Sequence, residues 1–166
     1  MPRFLSFATA LGRIRLTWTA EGICALHFVE ELDREESREA PPWVLEAVRR
    51  IMTHLAGHPQ DLGGIPVDLS DLTPFQRRVA EVLRGTAPGQ TISYGEVALL
   101  AGRPGAARAV GQAVKANPIL ILVPCHRVVA ATGPGGWSAF GTPERKARLL
   151  AFETLHTGPY AAPPAR

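Results

Sequence analysis

Ile119 to Val129 reads I-L-I-L-V-P-C-H-R-V-V, and the reading of the whole chain is organised around this stretch. An apolar, mostly β-branched run leads into Pro124, which has no N–H to give and stops regular strand pairing. The pattern predicts a buried strand or extended segment that ends on Cys125, with His126 and Arg127 directly after it. A packed segment of this kind holds a nucleophile rigidly. A thiol is a poor nucleophile until it loses its proton, and a nearby imidazole or positive group is the usual activator.

Four further stretches flank it: T-P-F-Q-R-R-V at Thr73–Val79, I-S-Y-G-E-V-A at Ile92–Ala98, A-R-A-V-G-Q-A at Ala107–Ala113, and Asn117-Pro118. Together with V-P-C-H-R-V they resemble, in order and roughly in spacing, the O6-alkylguanine-DNA alkyltransferases, also called methylated-DNA–protein-cysteine methyltransferases. The resemblance is close over about residues 70–153 and loose over the first 70.

The composition bounds this reading. The chain has 166 residues, 46% hydrophobic and 20% charged, enough for one domain or two small ones. It lacks a run of about 20 apolar residues, so no membrane span is expected. The N-terminal M-P-R-F-L-S-F-A-T-A lacks a continuous apolar core, so no signal peptide is expected and the chain is taken as cytoplasmic. Cys24 and Cys125 could form one disulfide, but a cytoplasmic chain with a Cys beside a His argues for free thiols. The net charge of +3 hides an asymmetry: residues 1–70 carry seven Lys/Arg against ten Asp/Glu, and residues 71–153 carry ten against five. That excess suits a polyanion, but an excess this small more often marks an ordinary solvated surface.

In chain order, Gly12–Trp18 and Ile23–Val29 alternate as the two strands of a hairpin. Cys24 reads as a small buried hydrophobe and His27 as a strand-face residue. No Cys/His spacing suits zinc, so no metal is expected. Glu30–Ala40 reads as an exposed acidic loop. Pro42 opens a helix with Val44, Val48, Ile51 and Leu55 inward and Gly57 as its end. A short V-D-L strand follows, and a domain boundary is placed near residue 70. Thr73-Pro74 opens the next helix, which Gly85 closes. Ser93 and Glu96 form a capping box for a short helix to Ala101. A turn at Arg103-Pro104-Gly105 leads to a helix over 106–116, and the pair reads as a helix-turn-helix. The small residues Ala106, Ala107, Ala109, Gly111 and Ala113 suit close approach to a nucleic-acid groove or to another helix. Thr142-Pro143 caps a last helix, with Ala147, Leu150 and Phe152 inward and Glu153 ending it. Residues 154–166 are expected to form a flexible tail.

The expected fold is α/β, or α+β: by resemblance, a small ribonuclease-H-like sheet domain over 1–70, then a mostly helical winged-helix-like DNA-binding domain over 71–153. The resemblance further implies direct transfer of an alkyl group from O6-alkylguanine, with O4-alkylthymine a further substrate to consider, to Cys125. It implies a single turnover and no cofactor. His126 would take the thiol proton, Glu153 would orient and compensate that imidazole, and Asn117 would tie the turn before the site. Unaided by the resemblance, Glu153 also reads as a surface residue and Asn117 as a plain helix end. Arg108 would fill the stack vacated by a flipped base, where a phosphate contact or a solvated arginine is the alternative. Tyr94 would press on the 3′ phosphate and donate to the base, where a half-buried helix aromatic is the alternative. Trp137 and Pro118 would wall the pocket, Ser138 would bond O6, and backbone near Cys125 and Val128 would read the guanine edge. Trp137 stands where many relatives have Tyr, and Ser138–Gly141 replaces a more glycine-rich stretch, which puts the substrate breadth in question. The partner is double-stranded DNA carrying O6-alkylguanine, with no membrane, and the chain is expected to be a monomer. The rival readings are a lesion-binding protein that flags O6-alkylguanine without transfer, a winged-helix transcription regulator, and a thiol hydrolase or redox protein.

Overall fold

The computed structural model describes residues 3–32, 39–130 and 143–156, with side chains over 144–154 in the last stretch. Strands β1 (Arg3–Thr9), β2 (Gly12–Trp18) and β3 (Ile23–Val29) form an antiparallel sheet in that order. The expected hairpin is β2 and β3. Ile14, Leu16 and Trp18 turn inward on β2 while Arg13 and Arg15 stay outside. The sequence reading missed β1. Its Leu5 and Phe7 pair with Leu16 and Ile14 on the buried face, but the adjacent Phe4 blurs the alternation. Phe4 lies on the outer face, where the Arg15 guanidinium covers its ring at 5.3 Å.

The V-D-L stretch forms a single parallel bridge, Ile23 to Val67, and not a strand. Asp68 turns the chain away: its carboxylate accepts from Ser70 N at 3.0 Å and from Thr19 Oγ1 at 2.7 Å. Gly22 lies under this crossing. A Cβ there would stand 2.7 Å from the Val67 carbonyl carbon, so only glycine lets the two backbones meet.

Helix α1 (Pro42–Leu55) turns Val44, Ala47, Ile51, His54 and Leu55 inward. Helix α2 (Pro74–Arg84) begins with a reciprocal cap between Thr73 and Gln76. Strand β4 (Ile92–Ser93) runs into α3 (Tyr94–Leu100), where Ser93 and Glu96 cap each other as expected. Gly102 takes a left-handed conformation at φ 79° and starts the turn to α4 (Ala107–Lys115). On α4, Val110, Ala113 and Val114 are buried, while Ala107, Ala109 and Gly111 are half-buried at its edge.

The 119–123 run departs from the expected extended segment. It pairs with β3 only at its start, where Leu26 N donates to Pro118 O and Leu120 N to Leu26 O, both at 2.9 Å. It then doubles back: Val123 N donates to Ile119 O at 2.9 Å. Ile121 sits at the bend with φ 73°. A β-branched residue there is strained by about 1–3 kcal/mol, and complete burial of the run holds it in place. A 3₁₀ turn (Cys125–Arg127) and β5 (Val128–Val129), parallel to β4, follow.

Helix α5 (Pro143–His156) continues past Glu153, so residues 154–156 are helical and not tail, and 157–166 lie outside the described residues. Its inward face is only partly the expected one: Phe152 packs against the core as expected. Lys146, Leu149 and Glu153 are buried and Ala147 is exposed, because a carboxylate and an ammonium with interior partners outcompete an alanine for that face. The acidic loop over 33–38 lies outside the described residues. One buried core joins the sheet, α1 and the helices beyond residue 70.

Candidate active site

Asn117 stands just beyond α4 and ties three points together. Its Nδ2 donates to Val123 O at 2.9 Å and to Cys125 Sγ at 3.0 Å, and its Oδ1 accepts from Ile119 N at 3.0 Å. One amide thus closes both ends of the bent apolar run and reaches the sulfur. Cys125 N donates to Val123 O at 2.7 Å, which fixes the entry to the 3₁₀ turn. The sulfur is fully buried. Burial pushes the Cys125 thiol up to about 12, against the Asn117 hydrogen bond and the nearby Lys146 charge. At rest the residue is a thiol.

His126 and Glu153 are both 0% exposed, and His126 Nε2 lies 2.8 Å from Glu153 Oε1. Arg127 grips the same carboxylate with two nitrogens, Nη2 at 3.0 Å from Oε1 and Nε at 3.1 Å from Oε2. Its Nη1 donates to Thr86 O at 2.8 Å and to Thr86 Oγ1 at 3.1 Å. His54 of α1 brings its Nε2 to 3.1 Å from Glu153 Oε1. Burial pushes the Glu153 carboxyl up, but the charge and hydrogen bonds of its neighbours outweigh it and hold the group far below the usual carboxylate range. Burial lowers His126, against the pull of Glu153. The resting site therefore pairs a neutral imidazole with an ionised carboxylate, and Arg127 supplies the countercharge.

Two further groups stand in electrostatic range of the sulfur. Lys146 Nζ donates to Val128 O at 3.0 Å. Burial lowers this ammonium to about 8, and the Cys125 charge opposes the shift. Tyr94, half-buried at the start of α3, has its phenol raised by burial and then by Cys125. Its ring edge faces α4, where a Cβ on Gly111 would meet it in ordinary van der Waals contact at 3.9 Å.

Cys125, His126, Glu153 and Asn117 thus meet in one site, with Tyr94 and Val128 beside them. Pro118 is half-buried and its carbonyl is bonded to β3. Arg108 is exposed on the second residue of α4. Trp137 and Ser138 lie outside the described residues. Cys24 is half-buried and donates to Thr17 O at 3.6 Å, so it is more open than the buried hydrophobe expected, and both cysteines are free thiols. The sequence reading assigned no role to Arg127, Lys146 or His54. Lys146 and Glu153 lie seven residues apart, on one face of a helix, which was a usable signal. His54 gave none, because its partner lies 99 positions along the chain. Among the described residues, no helix is long and apolar enough to cross a membrane.

The chain was compared with known proteins. Residues 74–155 match the family described as 6-O-methylguanine DNA methyltransferase, DNA binding domain. A methylated-DNA–protein-cysteine methyltransferase of Mycolicibacterium paratuberculosis is 44% identical over 120 residues, which cover 72% of this chain and 70% of that one. A crystal structure of an OGT variant from Mycobacterium tuberculosis superposes with a TM-score of 0.78 at 31% identity, covering 96% of this chain and 97% of that one. The crystal structure of OGT from the same organism in complex with DNA gives 0.78 at 34% identity, covering 92% and 93%. With a mixed α/β fold that matches these structures along almost its whole length, the chain belongs to the methylated-DNA–protein-cysteine methyltransferase family.

Proposed function

We propose that the chain repairs DNA by moving the alkyl group of O6-alkylguanine directly onto Cys125, once per chain. The observation that carries this reading is the Asn117-bound sulfur, 3.0 Å from the amide nitrogen, adjoining the buried His126–Glu153 pair. In the reaction the S–C bond forms as the O6–C bond breaks. The thiol proton leaves to His126. Because Nε2 faces Glu153, Nδ1 is the ring nitrogen that takes it, through a water. The imidazolium so formed sits against an ionised carboxylate, the arrangement in which an acid orients a base. Tyr94 remains a protonated phenol at neutral pH and supplies a donor for the departing guanine. The product is a thioether, which does not leave under mild conditions, so the thiol is not regenerated and no cofactor enters.

A fully buried sulfur cannot reach a base stacked inside duplex DNA. The nucleotide must be flipped out, at a few kcal/mol of lost stacking and pairing. The exposed Arg108 on α4 is the side chain offered to the vacated stack, and the small residues of α4 allow close approach to the groove. Tyr94 adjoins both helix and sulfur, as a residue that turns the nucleotide must. Pro118, Trp137 and Ser138 are assigned to the pocket, and backbone at Cys125 and Val128 to the guanine edge. In this reading residues 71–153 carry DNA binding and transfer, residues 1–70 support them, and a cytoplasmic monomer acts alone on double-stranded DNA.

Intact mass after incubation with a duplex carrying one O6-methylguanine tests this. The expected result is a gain of one methyl, mapped to Cys125 and stopping at one per chain. Tight lesion binding with no mass change would replace it with the lesion-flagging reading.

A further inference from the structure

The ring of His54 belongs to the N-terminal half, on the last turn of α1, yet it is buried against the carboxylate of the transfer site. Its two nitrogens are both engaged. Nδ1 accepts the backbone N–H of Gln60 at 3.0 Å, and Nε2 lies 3.1 Å from Glu153 Oε1. A nitrogen that accepts an N–H carries no proton. His54 is therefore the neutral tautomer with its proton on Nε2, and it donates to Glu153. The ring is also clamped edge-on against Phe152, the residue before Glu153, with centroids 5.4 Å apart at 73°.

The oxygen that His54 donates to is the one His126 uses. Oε1 receives His126 Nε2 at 2.8 Å, Arg127 Nη2 at 3.0 Å and His54 Nε2 at 3.1 Å. Each donor that shares an anionic oxygen draws charge from it and restricts where it can move. Glu153 is the group that stabilises the imidazolium formed when His126 takes a proton. Its position and residual charge set the basicity of His126.

Resting on the function proposed above, we infer that His54 is a positioning residue for alkyl transfer: through its Nε2–H to Glu153 Oε1, the N-terminal half sets the geometry and basicity of the His126–Glu153 pair. The N-terminal half thereby acts on the chemistry and is more than a support. The Gln60 N–H fixes the tautomer from one side and Phe152 fixes the ring plane from the other.

His54→Phe keeps an aromatic ring against Phe152 and removes the donor. His54→Gln keeps an N–H near the position of Nε2. With a duplex carrying O6-methylguanine, His54→Phe is expected to slow the single-turnover transfer about tenfold or more, the range over which outer partners of a working imidazole act. The midpoint of its rate-against-pH profile should move with it, because an Oε1 that has lost one of its donors keeps more charge for His126 and raises its basicity. His54→Gln is expected to stay within about threefold of the parent and to keep its pH midpoint. Nitrogen-15 spectra of the unaltered protein add a readout that needs no variant: His54 must show a protonated Nε2 and a bare Nδ1. A folded His54→Phe with the parent's rate and pH midpoint would overturn the inference while leaving the function intact. So would a His54 proton on Nδ1, or a His54→Gln as slow as His54→Phe. If the unaltered protein gains no methyl at all, the function reading fails first and this inference falls with it.

Discussion

Arg77, Arg103, Arg108 and Lys115 stand in solvent around the helix-turn-helix, while Arg127, Lys146, Glu153, His126 and His54 are buried within one connected site. The outer set is exposed, with Arg103 lying over the Phe75 ring at 4.8 Å and Arg77 reaching Ser70 O at 3.5 Å. The removal of any one of its charges is felt through the long-range field that draws a polyanion. The inner set is interlocked. Arg127, His126 and His54 all meet one carboxylate, so withdrawing Arg127 leaves that charge without its countercharge in a dry place, and withdrawing either imidazole costs it a buried hydrogen bond. In the proposed function the difference separates two tasks: loosely held charge would bring DNA to the surface, and tightly held charge would move a proton after it arrives. If so, inner variants damage transfer or stability and spare binding, and outer variants spare stability and act only on how duplex DNA is engaged.

The sharpest way to break that division is Cys125→Ser. Transfer should vanish altogether, because an alkoxide is far harder to form than a thiolate, while affinity for the lesion duplex stays within about twofold. Mass spectrometry and a binding titration on the same sample check both. Retained transfer would remove Cys125 as the acceptor.

Next in size is Glu153→Gln. It keeps the volume but leaves Arg127 facing an amide in the interior, and losing one partner of a buried pair costs about 3–5 kcal/mol. Urea unfolding should show that loss, and transfer should fall by at least a hundredfold with DNA affinity unchanged. A stability within 1 kcal/mol of the parent, roughly the scale of an exposed pair, would mean that the inner set is not interlocked.

Arg108→Ala tests the outer set. Loss of a side chain that fills the gap behind a flipped base should slow transfer from duplex about tenfold, given the few kcal/mol that flipping costs. Transfer from the free O6-alkylguanine base should not change, and neither should the melting temperature. Equal losses on duplex and free base would end its role in flipping. A uniform drop in affinity with a salt slope smaller by about one would make it a phosphate contact.

The same division explains what was legible in the sequence. The helices and their caps were legible because Thr73, Ser93 and Glu96 act on backbone three residues away, and a local signal can be read locally. The strand pattern of Gly12–Trp18 was legible because water on one face and core on the other enforce alternation. The 119–123 run was misread because a segment buried all round shows no period, and nothing within it reveals that Asn117 bonds at Val123 and Cys125 and folds it back. On α5, counting apolar residues picked Ala147 and missed Lys146, since burial of a charge depends on partners elsewhere, here the carbonyl of Val128. Cys125, His126, Glu153 and Asn117 could be named by family resemblance. The exposed Arg108 was named the same way. Arg127's hold on Glu153, and His54 above all, depend on contacts between distant parts of the chain and could be found only in three dimensions.

The smallest expected effect concerns acid. Burial lowers His126 in the folded chain, while in the unfolded chain it titrates near 6.5. Between those two values the unfolded chain binds a proton that the folded chain lacks, so stability rises with pH and is lost as pH falls below about 6.5. Glu153 has its folded value held far below the usual range, so its contribution is present above about 4.3 and is lost as pH falls further. Both inner groups therefore weaken the fold in acid, one after the other. From pH 6.5 to 5.5, His126 alone should remove up to about 1.4 kcal/mol, one proton's worth per pH unit. Urea midpoints at half-unit steps measure this, and His126→Gln should flatten that interval while leaving the fall below about pH 4.5 in place. An unchanged slope in His126→Gln would mean that the resting imidazole is already protonated, and the proton from Cys125 would then need another acceptor.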